Sequence, residues 1–341
     1  MYNITLILGD GIGPEVSYAA KRVIDATGIK INWDIKNAGE KTYNECGSLI
    51  PDDVYKSIEK NRVVLKGPIT TPIGIGFRSL NVHLRKKYEL FANIRPIRSI
   101  DGIESRYKNV DFTIFRENTE GLYIGIEEKI NENEYNAIKK VTRKGSERII
   151  RKAFEYAKEK QINKVTIAHK ANILKLTDGF FLKIGREISK EYNDIMLEEV
   201  IIDNMCMQLV KNPENYKVIV TTNLYGDIIS DLSAGFVGGL GLIPSANVGE
   251  DIAIFEAVHG SAPDIANMNI ANPTALIRSS IMMLEYLNEY EIAIKIDNAL
   301  KKLYLKGNVI TKDLGGDATT KEFTDELIRI IQEEKWTSKT G

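Results

Sequence analysis

Short runs of aliphatic and β-branched residues alternate along this chain with stretches whose apolar residues recur at helical spacing. That alternation points to a layered α/β fold. Residues 4–8, 63–66, 111–115, 164–169 and 217–221 are compact apolar runs suited to strands buried on both faces. Between them, Val16, Ala20, Val23 and Ile24 line one side of a helix over 15–27, and Ile149, Ile150, Ala153, Phe154 and Ala157 line one over 145–160. Residues 273–290 read as a further helix striped by Ala275, Ile281, Met282 and Leu284. Segment 125–136 is polar, partly strand-like and charged at its flanks, an excursion from the core, and 333–341 read as a polar tail.

A chain of 341 residues is long enough for a large core and favours two domains. Its 46 basic and 47 acidic residues nearly cancel, so no global field selects nucleic acid or a membrane surface, and an anionic ligand must be held by a local cluster of Arg and Lys. No stretch approaches the roughly 20 apolar residues of a membrane span. Two cysteines, Cys46 and Cys206, cannot frame a fold of this size. With a strand-like run directly after Met1-Tyr2-Asn3, they lead to the expectation of a reducing compartment, cytoplasm or organelle matrix.

Several motifs bear on chemistry. Gly9-Asp-Gly-Ile-Gly13-Pro14 follows the first strand, but its third glycine falls one residue too early for a dinucleotide fingerprint, and Pro14 removes a phosphate-binding donor. It is either a structural turn or a ligand contact. Asp227 and Asp231 are four apart, so on a helix both carboxylates face one way. A hard divalent cation would compensate their repulsion, and a solvated acidic face is the alternative. Arg85, Arg95 and Arg116 are each embedded in apolar or turn-like sequence, where a guanidinium needs an anionic partner. Internal ion pairs explain any one of them, whereas three converging need a polyanion. Lys170 ends a strand, either desolvated and suited to proton transfer or snorkelling outward. Residues 259–265, from His259 to Ile265, form a small-residue loop that brings backbone close to a ligand or is simply a tight turn.

In order along nearly the whole chain, these pieces resemble the β-decarboxylating dehydrogenases of isocitrate, homoisocitrate and 3-isopropylmalate. The resemblance runs through Leu65-Lys-Gly-Pro68, Leu84-Arg-Lys86, Phe91-Ala-Asn-Ile-Arg-Pro96, Arg116-Glu-Asn-Thr-Glu120 and His169-Lys-Ala-Asn172. It continues through Asn223-Leu-Tyr-Gly-Asp-Ile-Ile-Ser-Asp231, Glu256-Ala-Val-His-Gly260, Ala271-Asn-Pro273 and Asp313-Leu-Gly-Gly316. It implies a two-domain, non-Rossmann α/β fold, with residues 1–95 and 245–341 in a large cofactor-binding domain. Residues 96–244 would form a small domain carrying a dimerisation clasp. It further implies a homodimer, alone or within a higher oligomer, whose active sites are shared between subunits. Asp227 and Asp231 with Asp203 of the other copy would hold Mg²⁺ or Mn²⁺. Arg85, Arg95 and Arg116 would hold substrate carboxylates, and Tyr123 and the other copy's Lys170 would handle protons, with Asn172 nearby. His259, Gly260, Ser261, Ala262, Asp264, Ile265 and Asn272 would wrap the adenosine half of the cofactor, with Thr70 or Thr71 at the nicotinamide end.

Within that resemblance, Ser79 and Asn81 sit where isocitrate enzymes place polar contacts to a carboxylate and isopropylmalate enzymes place apolar residues, so isocitrate is the expected substrate. The stretch 203–209 and residues 317–320 also resemble homoisocitrate enzymes. Asp264 and Ile265 stand where NADP-dependent relatives carry Lys and Tyr, and a carboxylate there opposes a 2′-phosphate, so NAD is expected. Some relatives are non-catalytic regulatory subunits, which typically lose a catalytic or metal residue. Tyr123, Lys170, Asp203, Asp227 and Asp231 are all present here.

Overall fold

The computed structural model of the protein describes residues 1–70 and 79–333; Thr71 and the tail beyond Glu333 lie outside them. Its strands are β1 Tyr2–Ile7, β2 Ile31–Lys36, β3 Val63–Lys66, β4 Ala92–Arg98, β5 Asp111–Glu117, β6 Glu127–Asn131, β7 Glu134–Ala137, β8 Lys164–His169, β9 Met196–Ile201, β10 Val218–Thr221, β11 Pro244–Val248 and β12 Ala253–Ala257. Ten of them form one sheet in the order β2-β1-β3-β12-β11-β4-β5-β10-β8-β9. β11 is antiparallel to both β12 and β4, and β4 is antiparallel to β5. Two parallel halves running in opposite directions are therefore joined through a central antiparallel seam. The expected boundaries at 95/96 and 244/245 fall inside β4 and β11, side by side at that seam. Pro96 is tolerated in β4 because β11 pairs only with Ala92, Asn93 and Ile94, leaving β5 as the remaining neighbour.

Helices cover the sheet as the apolar spacing requires. Helix Arg143–Glu159 turns Ile149, Ile150, Ala153, Phe154 and Ala157, all 0 % exposed, onto the sheet. Its entry is capped by Thr142, whose Oγ1 accepts the Gly145 N–H at 3.1 Å. Truncating Phe154 to Ala in such packing costs about 3–5 kcal/mol. The helix expected over 273–290 is two helices, Thr274–Tyr286 and Tyr290–Lys306. Asn288 takes a left-handed φ of 62° between them, a turn that apolar spacing does not report. β6 and β7 form a separate two-stranded ribbon, exposed along its length.

Candidate active site

Strand register assembles the site. Lys66 stands opposite Glu256, Glu256 opposite Ser245, Asn247 opposite Asn93, and Asn93 opposite Arg116. Residues directly opposite share a sheet face, as do alternate residues along a strand. Lys66, Glu256, Arg95 and Arg116 therefore stand on one face across the seam. Helix Leu80–Lys87 adds Asn81 and Arg85 to it, and helix Asn223–Ala234 adds Asp227 and Asp231.

The three arginines converge. Their exposures are 8 % for Arg85, 5 % for Arg95 and 1 % for Arg116, so none of their charge is left to bulk solvent. Arg116 donates from Nε and Nη2 to the Asn223 Oδ1 at 3.0 and 2.8 Å and ion-pairs with Asp227 through Nη1. Arg95 Nη1 donates to Ser230 Oγ at 2.5 Å and lies 3.3 Å from Asp231 and 3.4 Å from Asp227. Arg85 Nη2 is 3.5 Å from Glu256, which Lys66 also pairs at 2.6 Å. Burial pushes Arg116 down to about 9, helped by the positive charges of Arg95 and Arg85; Arg95 is likewise depressed by burial and by Arg85. That mutual repulsion exists because the guanidinium groups share one cleft. Arg85 Nε, Arg95 Nε, Asn81 Oδ1 and His259 Nε2 are buried without a partner among the described residues. The two open guanidinium donors suit an oxyanion, whereas the Asn81 oxygen is an acceptor that suits a donor group.

The acidic side is graded. Burial pushes Asp227 up, but Arg116, the Tyr123 hydroxyl, Arg95 and Arg85 outweigh it and hold the carboxyl below its usual range. Asp231 is raised by burial despite Arg95, with the Asp227 charge adding to the rise. Tyr123 donates its hydroxyl to Asp227, and the Arg116 guanidinium lies 5.0 Å from its ring centre. Burial and the Asp227 contact raise the Tyr123 phenol, keeping it protonated. Two carboxylates from one helix face supply hard oxygen donors that fit Mg²⁺ or Mn²⁺.

Asp203 is elsewhere. It opens helix Ile202–Lys211, its side chain is 70 % exposed, and it pairs with Lys170 Nζ at 2.5 Å. Among the described residues no three His, Cys, Asp or Glu side chains stand close enough to hold a metal, so one chain does not bring Asp203 to Asp227 and Asp231. Lys170 is neither buried alone nor free in solvent. Its ammonium meets Asp203, and its backbone N–H donates to Asp178 at 2.7 Å. Asp178, with no exposed surface on its side chain, is in turn ion-paired to Lys139. Asn172 is exposed two residues away, next to Ile173 at 67 % exposure.

A cavity of about 580 Å³ adjoins the arginine cleft. Ile12, His259, Gly260, Ala262, Ile265 and Asn272 line it together with Lys312 and Asp313. His259 and Gly260 also line the smaller cavity, about 110 Å³, that holds Asn81, Arg85 and Arg95, so the two spaces share a wall. Thr70 Oγ1 and Ser261 Oγ are 2.6 Å apart at its rim. Asp264 is exposed and outside the lining. Ser79 caps helix Leu80–Lys87, its Oγ accepting the Val82 N–H at 3.5 Å.

The glycine-rich turn serves this cavity through the backbone. Gly9 has φ 75°, and a Cβ there would stand 2.0 Å from the Pro68 carbonyl oxygen. Gly11 has φ 57°, with the Ser261 carbonyl oxygen 1.9 Å from its would-be Cβ. The turn thus clamps the loops that carry Thr70 and Ser261, and Ile12 N–H donates to the Ser261 carbonyl at 2.8 Å. Sequence reasoning gives no individual role to Lys66, Glu256, Lys312 or Asp313. Lys66 and Glu256 lie in motifs that carry the family resemblance, and only strand register shows that they brace Arg85.

A family model described as isocitrate/isopropylmalate dehydrogenase matches residues 3–327. The chain belongs to that family. Within the isocitrate/isopropylmalate dehydrogenase family it is 52 % identical over 331 residues to a mitochondrial regulatory subunit of NAD isocitrate dehydrogenase from Dictyostelium discoideum, covering 97 % of this chain and 92 % of that one. It is 50 % identical over 324 residues to NAD isocitrate dehydrogenase catalytic subunit 5, mitochondrial, of Arabidopsis thaliana, covering 95 % and 87 %. The crystal structure of isocitrate dehydrogenase from Methylococcus capsulatus superposes with a TM-score of 0.94 at 49 % identity, covering 98 % of this chain and all of that one. The non-Rossmann α/β fold is the family's fold, in agreement with the failed glycine spacing.

Proposed function

We propose that the chain is a catalytic NAD-dependent isocitrate dehydrogenase, oxidising and decarboxylating isocitrate to 2-oxoglutarate. One observation carries the reading. Three buried arginines, two of them with an open Nε donor, face a pair of carboxylates, beside a cavity large enough for a dinucleotide's adenosine. Relatives named as NAD isocitrate dehydrogenases at 50 % identity support it.

Arg85, Arg95 and Arg116 fix the substrate's carboxylates, and Asn81 with Ser79 at the head of its helix accommodates the remaining one. Fixing a polyacid through several charge-assisted contacts sets the hydroxyl-bearing carbon toward the shared wall at His259 and Gly260. Lys170, from a second copy of the chain, takes the hydroxyl proton, directly or through a water, and Asp203 and Asn172 come with it. Tyr123, held protonated and oriented by Asp227, delivers a proton to carbon after carbon dioxide leaves. His259, Gly260, Ser261, Ala262, Ile265 and Asn272 would hold NAD⁺, which would supply the hydride acceptor, and the Asp264 carboxylate would oppose a 2′-phosphate. Asp227, Asp231 and the second copy's Asp203 would hold Mg²⁺ or Mn²⁺, which supplies Lewis-acid stabilisation of charge on the keto oxygen.

The assembly that this requires is a homodimer. The β6–β7 ribbon exposes Ile130 and Tyr135, at 50 % and 63 %, and the surface near Lys170 exposes Ile173 and Leu176, at 67 % and 88 %; a second copy would cover such apolar side chains. A second reading, a regulatory role, is favoured by the name of the Dictyostelium relative. The full set Tyr123, Lys170, Asp203, Asp227 and Asp231 weighs against it. A panel of isocitrate, homoisocitrate, 3-isopropylmalate and malate, each with NAD⁺ and NADP⁺, tests the proposal. The highest kcat/KM is expected for isocitrate with NAD⁺, and a higher value for homoisocitrate would reassign the substrate.

A further inference from the structure

The sheet has a second charged cavity that the proposed reaction does not use. Its volume is about 620 Å³, within the range of small-molecule sites, and Arg98, Lys217, Arg278 and Lys301 stand in its wall with Asp101, Asp111 and Asp297. It is not part of the arginine cleft. Arg98 pairs in register with Asp111, whereas Asn93 pairs with Arg116, so the two pairs occupy opposite ends of the same two strands. Residues 93 and 98 also differ by an odd number of positions, which puts their side chains on opposite faces of the sheet. Helices Thr274–Tyr286 and Tyr290–Lys306 close this reverse side, contributing Arg278 and Asp297.

Most of the charges there are already matched. Arg98 Nε lies 2.9 Å from Asp111, and Lys301 Nζ 2.7 Å from Asp297. Among the described residues, Lys217 Nζ meets only the Asp111 backbone carbonyl, at 3.3 Å. Arg278 is the anomaly. It is 7 % exposed, and its protein partner among the described residues is a single backbone carbonyl, that of Leu242, accepting from Nη1 at 2.6 Å. A guanidinium has five N–H donors, and burying its charge without a counter-anion is costly. Burial and the neighbouring charge of Arg98 push Arg278 down to about 10, outweighing the more distant pull of Asp297 and Asp111, neither of which ion-pairs with it among the described residues.

We propose that this reverse-face cavity is a second ligand site, taking a small oxyanion, carboxylate or phosphate, on Arg278 and Lys217. Two cations without carboxylate partners among the described residues, one of them buried, converge on a space with room for a small metabolite. A doubly charged oxyanion would satisfy the free Arg278 donors and the Lys217 ammonium together.

Calorimetric titration of inorganic phosphate and, separately, of succinate into the full-length protein tests this. The Arg116→Gln variant serves as background, so that binding in the substrate cleft is weakened while the reverse face is intact. At least one probe should bind that background, and adding Lys217→Gln or Arg278→Gln should raise its Kd by about tenfold or more. Tighter phosphate identifies a phosphorylated ligand, and tighter succinate a carboxylate; either supports the site. Failure of both probes to bind the Arg116→Gln protein, or unchanged Kd with Lys217→Gln added, would overturn it. Lys217 is exposed, so its variant reports even where Arg278→Gln does not fold.

Discussion

Lys170 and Asp203 pair with each other, Nζ to Oδ1 at 2.5 Å, on a surface that lacks the Asp227–Asp231 pair. Two groups expected at one catalytic centre are thus adjacent to each other, and among the described residues Asp203 does not join Asp227 and Asp231 in a metal-holding cluster within one chain. A dimer in which each copy lends this pair to the other's cleft reconciles the two facts.

Mixing two inactive variants reads this out. Lys170→Met spoils the lent residues and Asp227→Asn the receiving cleft, so each homodimer should be inactive. Refolded together, they should recover about a quarter of wild-type activity, because half of the dimers are mixed and each mixed dimer keeps one intact site in a two-fold assembly. No recovery would mean that Lys170 serves its own chain.

Arg116→Lys keeps the charge but loses the fork that holds Asn223 at 3.0 and 2.8 Å while pairing with Asp227. A loss of about ten- to a hundredfold in kcat/KM for isocitrate is expected, the cost of one or two charge-assisted bonds. Gly226→Ala should mimic it without touching charge, since a Cβ there would stand 2.6 Å from the Arg116 Cβ and Cγ. Steady-state kinetics on both variants check the pair.

Glu256 links acid stability to the site. Burial raises its pKa, but Lys66 and Arg85 outweigh burial and hold it at about 2, against an ordinary 4.5. A depressed carboxyl contributes stability that is fully present above its unfolded pKa and lost as pH falls toward its folded one, here from about 4.5 to about 2. Glu256→Gln should flatten that limb of a urea-midpoint profile. At neutral pH it should cost about 3–5 kcal/mol, because Lys66, 2 % exposed, loses its counter-charge.

Asp264 tests cofactor choice. It is exposed on the loop that also puts Ile265 into the 580 Å³ cavity, so a substitution there alters charge with little effect on packing. Asp264→Lys should raise kcat/KM with NADP⁺ relative to NAD⁺ by about tenfold, from one new charge-assisted contact. An unchanged ratio would remove Asp264 from cofactor discrimination.

Local pattern makes some of this legible and topology withholds the rest. Asp227 and Asp231 announce a shared helix face because four residues close one turn, and the Ile149–Ala157 stripe announces its own helix. No local signal says that β4 and β11 run against their neighbours. That reversal is what sets Arg95 beside Arg116, and it joins them to the Lys66–Glu256 pair, which the parallel register of β3 and β12 makes. The turn at Asn288 is hidden for the opposite reason: apolar spacing continues across it. Arg278 gives no sign at all, because its oddity is a missing partner, which only coordinates reveal.

The most direct test of catalysis uses this chain alone, with no other protein present. Purified protein is given isocitrate, Mg²⁺ and NAD⁺, and absorbance at the NADH band is followed. NADH formation that Asp227→Asn abolishes is the expected result. Absence of NADH from the chain alone, with activity appearing only when a different catalytic chain is added, would contradict the proposed function and leave this protein a regulatory role.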